Sequence, residues 1–359
     1  MSKMKKLLVS LCALLAVCTS ANAQGMTATL QQGDKMTPYY GPDAFIQAYN
    51  AAPQKGAIIT LSAGTFNTVD SIMKQVKIIG NGYKDNKTVI DNELYVKADN
   101  VTVEGVELYL FRMKDTENLV IRRCKIFDIQ NREGIIESYK HKNTIVDQCI
   151  ITSLDGAIGG GENYCIKNSI INSNYQGAKV DQQCAYITNC VFILCVNFFH
   201  SCKYKAIFKN NLISLHKTND LELSSFCDSI GMECYNNVFV EGTKVKFKRI
   251  EGGMYACEST IDPDTRWTTP ELNHEETLTW KNNTSTNYNA VFGESDEENP
   301  LLAPIITTIK GDDGTVVGPY GGTGFSVNPS IPRIADSKID SNTDADGKLN
   351  VKIKVEVNQ

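Results

Sequence analysis

Beyond its first two dozen residues the chain has no apolar run near the ~18 residues that a membrane-crossing helix needs, which excludes a protein held in a bilayer by helices. It also lacks a basic excess, since 36 Lys and Arg face 41 Asp and Glu for a net charge of −5. Binding of nucleic acid through phosphates alone, which draws on a cationic surface, is excluded by that balance. The polar, highly charged composition of a disordered chain is missing too. Only 21% of residues are charged, and 42% are hydrophobic, enough for a large core.

What the first residues hold is a leader. Lys3, Lys5 and Lys6 precede an apolar run from Leu7 to Cys18, and a small-residue stretch ends at Ala23. This is the pattern of a secretory signal peptide over residues 1–23, so the expected location is periplasmic, cell-surface or extracellular. Removing the leader takes away three lysines and no acid, leaving 33 basic against 41 acidic groups, or −8. Leu15 to Cys18 resembles a lipobox, with Val17 where Gly or Ala is expected, and lipid anchoring is the minority alternative.

Of the 12 cysteines, ten follow the leader. In a small secreted domain they would suggest a disulfide framework, yet Cys124, Cys149 and Cys190 occupy one equivalent place in successive repeats. That placement predicts stacked buried thiols. The group Cys184, Cys190, Cys195, His200 and Cys202 contains no Cys-x-x-Cys pair and spans different strands and turns, so no metal site is expected.

The repeats decide the architecture. The tetrads Val103–Val106, Ile121–Cys124, Val146–Cys149, Ile166–Ser169, Ile187–Cys190, Phe208–Asn211, Cys234–Asn237 and Trp280–Asn283 align, their last residues separated by 18, 25, 20, 21, 21, 26 and 46. Each is followed by a short β-prone run such as Ile150-Ile151 or Val191-Phe192, and no repeat holds a helix-length amphipathic segment. Asn168, Asn189, Asn210, Asn236 and Asn282 share the third tetrad position. Asparagine tolerates left-handed backbone geometry and its amide both donates and accepts, so a hydrogen-bonded ladder of these amides is expected. Gly134, Gly156 and Gly177 mark a second turn per coil. Roughly ten coils at ~4.8 Å each would make a rod about 50 Å long.

The chain thereby resembles the right-handed parallel β-helix proteins of the pectin-lyase-like superfamily. A capping helix within 43–52, a strand within 57–66 with its Gly-Thr-aromatic turn, and a strand from Val76 resemble that family's first coil, and the resemblance covers about residues 40–295. The implied fold class is all-β: a β-helix over 57–300 with an insertion near 252–276, an N-terminal segment and capping helix over 24–56, and a turn-rich segment with a β tail over 301–359. Fold carries no chemistry with it. Polygalacturonase-like hydrolases need Asn-x-Asp, Asp-Asp, Gly-His-Gly and Arg-x-Lys in that order; here Asp312-Asp313 and Asn342 to Asp344 lie beyond the coils, in reversed order, and no Gly-His-Gly exists. The calcium cluster and the Trp-x-Asp-His and Arg-x-Pro-x-x-Arg signatures of pectate-lyase-like enzymes are missing as well.

Equivalent loops of a solenoid line one edge and can hold an extended polymer. His200, Lys203, Lys179, Asp181 and Asp155 are the catalytic candidates, as acids and bases on neighbouring loops and strand ends. Arg132, Glu137, Tyr175, His216, Glu222 and Trp267 are the substrate-binding candidates, the last as an aromatic platform in the insertion. The bland counterpart is a solvated polar rim. No cofactor is implied; Asn342-x-Asp344-x-Asp346-Gly347 imitates half a calcium loop, but Ile353 stands at its twelfth position, and a tight turn is expected. Leu349 to Val357 alternates as a strand, and this tail is expected to cover the open end of the solenoid or to form an attachment module. The expected function is a monomeric exported protein that binds, and as an enzyme would cleave, a polysaccharide or cell-envelope glycan along a groove. Lyase chemistry is favoured over hydrolysis because basic residues gather at 203–209 and 244–249 without a carboxylate pair. The alternative is a non-enzymatic envelope scaffold or adhesin.

Overall fold

A computed structural model of the chain describes residues 25–84, 86–130, 132–133, 137–138, 141–153, 161–172, 184–195, 205–215, 233–240, 244–246, 258–260, 279–281, 284–286, 309–326, 328, 333–343 and 349–356. The leader, the second-turn glycines and most of the insertion lie outside them.

The short apolar runs form two long sheets. The first has 12 strands and the second 10, each coil supplying one strand to each. Pairing is parallel from Lys55–Leu61 onward in the first sheet and throughout the second. The fold is an all-β parallel β-helix, and the tetrads stack in the register their alignment demanded. Ile78, Val103, Ile121, Val146, Ile166, Ile187 and Phe208 are direct neighbours along the first sheet, and all are buried. On the facing sheet Ile90, Leu108, Ile126, Ile151, Ile171, Phe192 and Ile213 close the core. Period-two alternation along each strand puts one face inside, and the β-branched majority fits that pleated wall.

The N-terminal edge is capped. Strand Thr27–Gln32 pairs antiparallel with Lys55–Leu61, and Lys35–Tyr40 adds one further strand carrying Lys35 and Pro38. An open edge would template pairing with another chain, and a lysine and a proline on it oppose that. Helix Ala44–Ala51 buries Ala44, Phe45, Ala48 and Tyr49, one face at helical spacing. Lys74 Nζ donates to the carbonyls of Tyr49, Asn50 and Ala52 at 2.8, 3.1 and 2.8 Å, satisfying the helix's orphan C-terminal acceptors.

At the corner between the sheets, Cys124, Cys149 and Cys190 are buried free thiols stacked in one column, as the repeat implied. Ser169 stands between Cys149 and Cys190 in this column, which continues as Asn211 and Asn237. Asn211 Oδ1 accepts from Cys190 N at 2.9 Å, and its Nδ2 donates to Asn237 Oδ1 at 3.0 Å and to the Ile187 carbonyl at 2.8 Å. The preceding column is left-handed throughout: Gly105, Arg123, Gln148, Asn168, Asn189, Asn210 and Asn236 have φ of 68, 51, 57, 48, 54, 56 and 53°. A left-handed residue other than glycine costs roughly 1–2 kcal/mol, least for asparagine.

One expectation about that column is overturned for its four described asparagines, Asn282 lying outside the described residues. The amides of Asn168, Asn189, Asn210 and Asn236 do not ladder with one another; they hold residues 309–326, which run along the flank of the coils as a strap. Asn236 Nδ2 donates to Asp312 Oδ1 at 2.7 Å, Asn210 Nδ2 to Asp313 Oδ2 at 3.5 Å, Asn189 Nδ2 to the Val316 carbonyl at 2.8 Å and Asn168 Nδ2 to the Pro319 carbonyl at 3.0 Å. Backbone carbonyls and carboxylates from the strap are better acceptors than a neighbouring amide whose own dipole is already fixed. Asp313 also pairs with Lys209 at 2.6 Å, and that contact holds its carboxyl down at about 2. Val317 completes a second apolar cluster with Ile170, Val191, Ile193, Leu212 and Val238, and Ile309 and Phe325 pack against it. Gly311 allows the approach: a Cβ there would lie 2.6 Å from Asn236 Nδ2 and 2.8 Å from Asn210 Oδ1. This turn-rich part of the tail therefore covers the outside of the later coils rather than the end of the stack. Beyond it, Arg333–Thr343 and Leu349–Glu356 form an antiparallel pair; Asp344, Asp346 and Gly347 of the half calcium loop lie outside the described residues.

Candidate functional site

Among the described residues, the strap lies against the coils of Asn168 to Asn236 and leaves the outer face of the second sheet open in the earlier coils. There Glu107–Met113 and Lys125–Gln130 pair in register, Glu107 opposite Lys125 and Leu108 opposite Ile126. Leu108 and Ile126 point inward, so the next residues, Tyr109 and Phe127, both point out. Their rings stack with centroids 4.7 Å apart and planes 8° from parallel, and they are 63% and 40% exposed. Large aromatics left in water together on an ordered strand pair are the kind of exposed apolar patch that marks a binding surface.

Ion pairs frame the rings. Glu107 takes Lys87 at 2.8 Å and Lys125 at 3.4 Å, from the segments on either side of it, and Arg112 meets Glu93 at 3.3 Å. Lys97 Nζ lies 4.1 Å from the centre of the Tyr95 ring. Exposed pairs of this kind add at most about 1 kcal/mol to stability; their effect is to present charged and hydrogen-bonding groups at fixed positions beside an apolar platform.

The outer face of the first sheet has a different composition. Asn100, Asn118, Asn143 and Asn163 are exposed, all with φ between 53 and 56°, and their side chains form a ladder: Nδ2 of Asn118, Asn143 and Asn163 each donates to Oδ1 of the preceding rung at 3.1, 3.0 and 3.0 Å. Beside it a column of Arg122, Asp147 and Lys167 pairs internally, Asp147 Oδ2 lying 3.1 and 3.7 Å from the two cations.

His141 is the one described histidine. It is buried, its Nδ1 lies 3.1 Å from Thr116 Oγ1 and accepts from Thr116 N at 3.4 Å, and its Nε2 has no partner. Burial, only partly opposed by the Asp115 charge, pulls its pKa down to about 4. A group so enclosed is structural. Burial also raises the thiols of Cys149, Cys165 and Cys190 above the usual range, Cys190 beyond any physiological pH; Cys149 and Cys190 are core groups, Cys165 is half-buried on the outer side of its strand, and a raised thiol pKa disfavours the nucleophilic thiolate in all three.

Of the residues proposed from sequence, Asp155, Tyr175, Lys179, Asp181, His200, Lys203, His216, Glu222 and Trp267 lie outside the described residues. Arg132 and Glu137 are on a short antiparallel pair, Arg132–Glu133 with Glu137–Ser138, with Arg132 opposite Ser138 and Glu133 opposite Glu137. Sequence reasoning missed Tyr109 and Phe127, although each stands three residues after the end of its tetrad. It also missed the exposed ladder, whose intervals of 18, 25 and 20 repeat those of the tetrads. Among the described residues no group of three or more His, Cys, Asp or Glu is placed to hold a metal ion, and no helix is long and apolar enough to cross a membrane. Comparison with protein-family models, with curated proteins and with solved structures returns no match.

Proposed function

We propose that this chain is an exported β-helix protein, of the pectin-lyase-like kind, that binds a polysaccharide on the outer face of its second sheet. The observation that carries the reading is the exposed stack of Tyr109 and Phe127 within a frame of ion pairs. The C–H face of a sugar ring is apolar, and covering about 100 Å² of such ring surface is worth roughly 2.5 kcal/mol. The equatorial hydroxyls of the same sugar then meet the Lys87–Glu107–Lys125 and Arg112–Glu93 groups, whose geometry is already set before the ligand arrives. A parallel coil stack repeats such contacts along one direction, which suits an extended chain more than a compact ligand.

Cleavage by His200, Lys203, Lys179, Asp181 or Asp155 belongs to the same proposal as its enzymatic form. The non-enzymatic scaffold reading is favoured by one feature of this face: Glu93 and Glu107 are both engaged by cations, an arrangement that fixes carboxylates as binding groups rather than as a general acid and base. Affinity electrophoresis of the mature chain through gels containing acidic and neutral polysaccharides tests the binding. Retardation by at least one polymer is expected, falling at least tenfold in affinity in the Tyr109→Ala, Phe127→Ala double variant. Equal retardation of the variant on every retained polymer would overturn the site. New reducing ends or ultraviolet absorbance of unsaturated uronates in the same samples would separate hydrolase, lyase and scaffold.

A further inference from the structure

The exposed amide ladder on the first sheet has hydrogen-bonding capacity to spare. An asparagine side chain carries two N–H donors and an oxygen with two lone pairs, and each inner rung spends one donor and one lone pair on its neighbours. One N–H and one acceptor site per inner rung therefore face solvent, repeated every coil at ~4.8 Å. Two residues beyond the four rungs stand Thr102, Val120, Ile145 and Cys165, neighbours in register, and Tyr186 is the next neighbour after Cys165. The first four are half-buried and Tyr186 is 38% exposed. An apolar stripe on the solvent side is unusual for a surface column, and parallel sheets commonly have both faces covered. On the far side of the stripe the charges are largely spent on one another: Asp147 answers Arg122 and Lys167, and Glu104 answers Arg123 at 3.3 Å.

An amide row, an apolar stripe and an internally paired charge column side by side call for an uncharged partner with an amide and a methyl in fixed proximity at regular intervals. We propose that this face is a second glycan site, separate from the Tyr109–Phe127 platform, that recognises the N-acetyl groups of an aminosugar polymer. The acetamido N–H and carbonyl match the spare acceptor and donor of a rung, and its methyl lies on the stripe beside it. Same-side substituents of an extended β-linked chain recur at every second sugar, and two rung intervals, about 9.6 Å, span about one such disaccharide, so an acetamido group meets every second rung. In either alignment one inner rung takes part, Asn143 together with Asn100 or Asn118 together with Asn163. The inference shares with the proposed function only the class of ligand, a glycan, and is tested on different residues.

The experiment is calorimetric titration of the mature chain with three hexamers: N-acetylglucosamine, its fully deacetylated glucosamine counterpart, and glucose in the same β-1,4 linkage. The expected result is binding of the acetylated hexamer at least tenfold tighter than of the other two. The Asn118→Gly, Asn143→Gly variant removes the two amides while keeping a residue at ease with positive φ, and is expected to lose at least tenfold. The Tyr109→Ala, Phe127→Ala variant is expected to keep full affinity for this ligand. Side-chain amide resonances of the wild-type chain give a readout independent of any variant, with the ladder amides shifting on addition of the acetylated hexamer alone. Equal binding of the three hexamers, no binding of the acetylated one, or full affinity in the glycine variant would overturn the proposal. Loss confined to the aromatic variant would overturn it while leaving the proposed function standing.

Discussion

At the scale of single residues, position in the coil decides what the same side chain is worth. Asn211 is buried, accepting from Cys190 N and donating to the Ile187 carbonyl, whereas Asn143 is an exposed rung. Asn211→Leu leaves a buried donor and a buried acceptor without those partners, and should cost about 3 kcal/mol in chemical denaturation. Asn143→Gly should cost under ~1 kcal/mol, because water replaces its ladder partners; equal costs would refute the distinction. His141 has the opposite character, a buried group whose neutral form is the one that fits. Its pKa is about 4 in the fold against 6.5 when free, so between those values the unfolded chain binds the extra proton. Stability from this group is complete above pH 6.5 and declines as pH falls to 4, by about 3 kcal/mol in all. Urea melts at pH 7.5, 5.5 and 4.5 should show that decline in the native chain and a flatter profile in His141→Gln.

At the scale of elements, the strap is held by side chains that would otherwise seem committed to the coils. Val317 N donates to Ile309 O and Gly318 N to Asn210 O, both at 2.8 Å, so exchange of these two amides reports whether the strap is seated. Gly311→Val should unseat it, because the new side chain meets Asn236 and Asn210, and exchange at Val317 and Gly318 should accelerate at least tenfold while the amides of Ile121 and Val146 stay protected. Unchanged exchange would show that the strap adapts. This element also marks where the sequence stops being legible. The left-handed column was readable, because only asparagine and glycine recur easily at such a φ and four of these asparagines keep one offset from an apolar residue. Its partner was not, since Asp312, Val316 and Pro319 lie 76 to 151 residues away from the asparagines they meet and carry no periodicity of their own. The exposed ladder was legible in principle, its spacing being that of the tetrads, but asparagines at turns are common enough to hide a second column. Tyr109 and Phe127 form a single step of stacking, and one step is not a period.

At the scale of the whole molecule, a solenoid has an extended core and a correspondingly large outer surface, so what covers each face governs whether copies associate through it. The tetrads foretold the inner columns, where every coil answers to the same neighbours, and the residue following each tetrad visibly turns apolar from Ile150 to Val238, yet the sequence could not show that this residue faces outward or what covers it. That change runs from Glu107 and Lys125 to Ile150, Ile170, Val191, Leu212 and Val238, successive neighbours on the second sheet, and the last four are buried together with Val317. The charged start of the column needs no cover, while the apolar remainder is stable in water only beneath the strap. Ending the chain after residue 308 therefore exposes a continuous apolar row on an ordered sheet, the situation that drives association between copies. The truncated protein should keep the far-ultraviolet dichroism of its coils, melt at lower temperature and elute from size-exclusion chromatography as dimers or larger species, with increased binding of an apolar dye. Placing Asp or Lys at positions 191 and 212 of the truncated chain should reverse that association, since a charge there removes the row without touching the core. A truncated chain that elutes as the full chain does, with native melting and no dye binding, would mean that the row is covered by something other than residues 309–326.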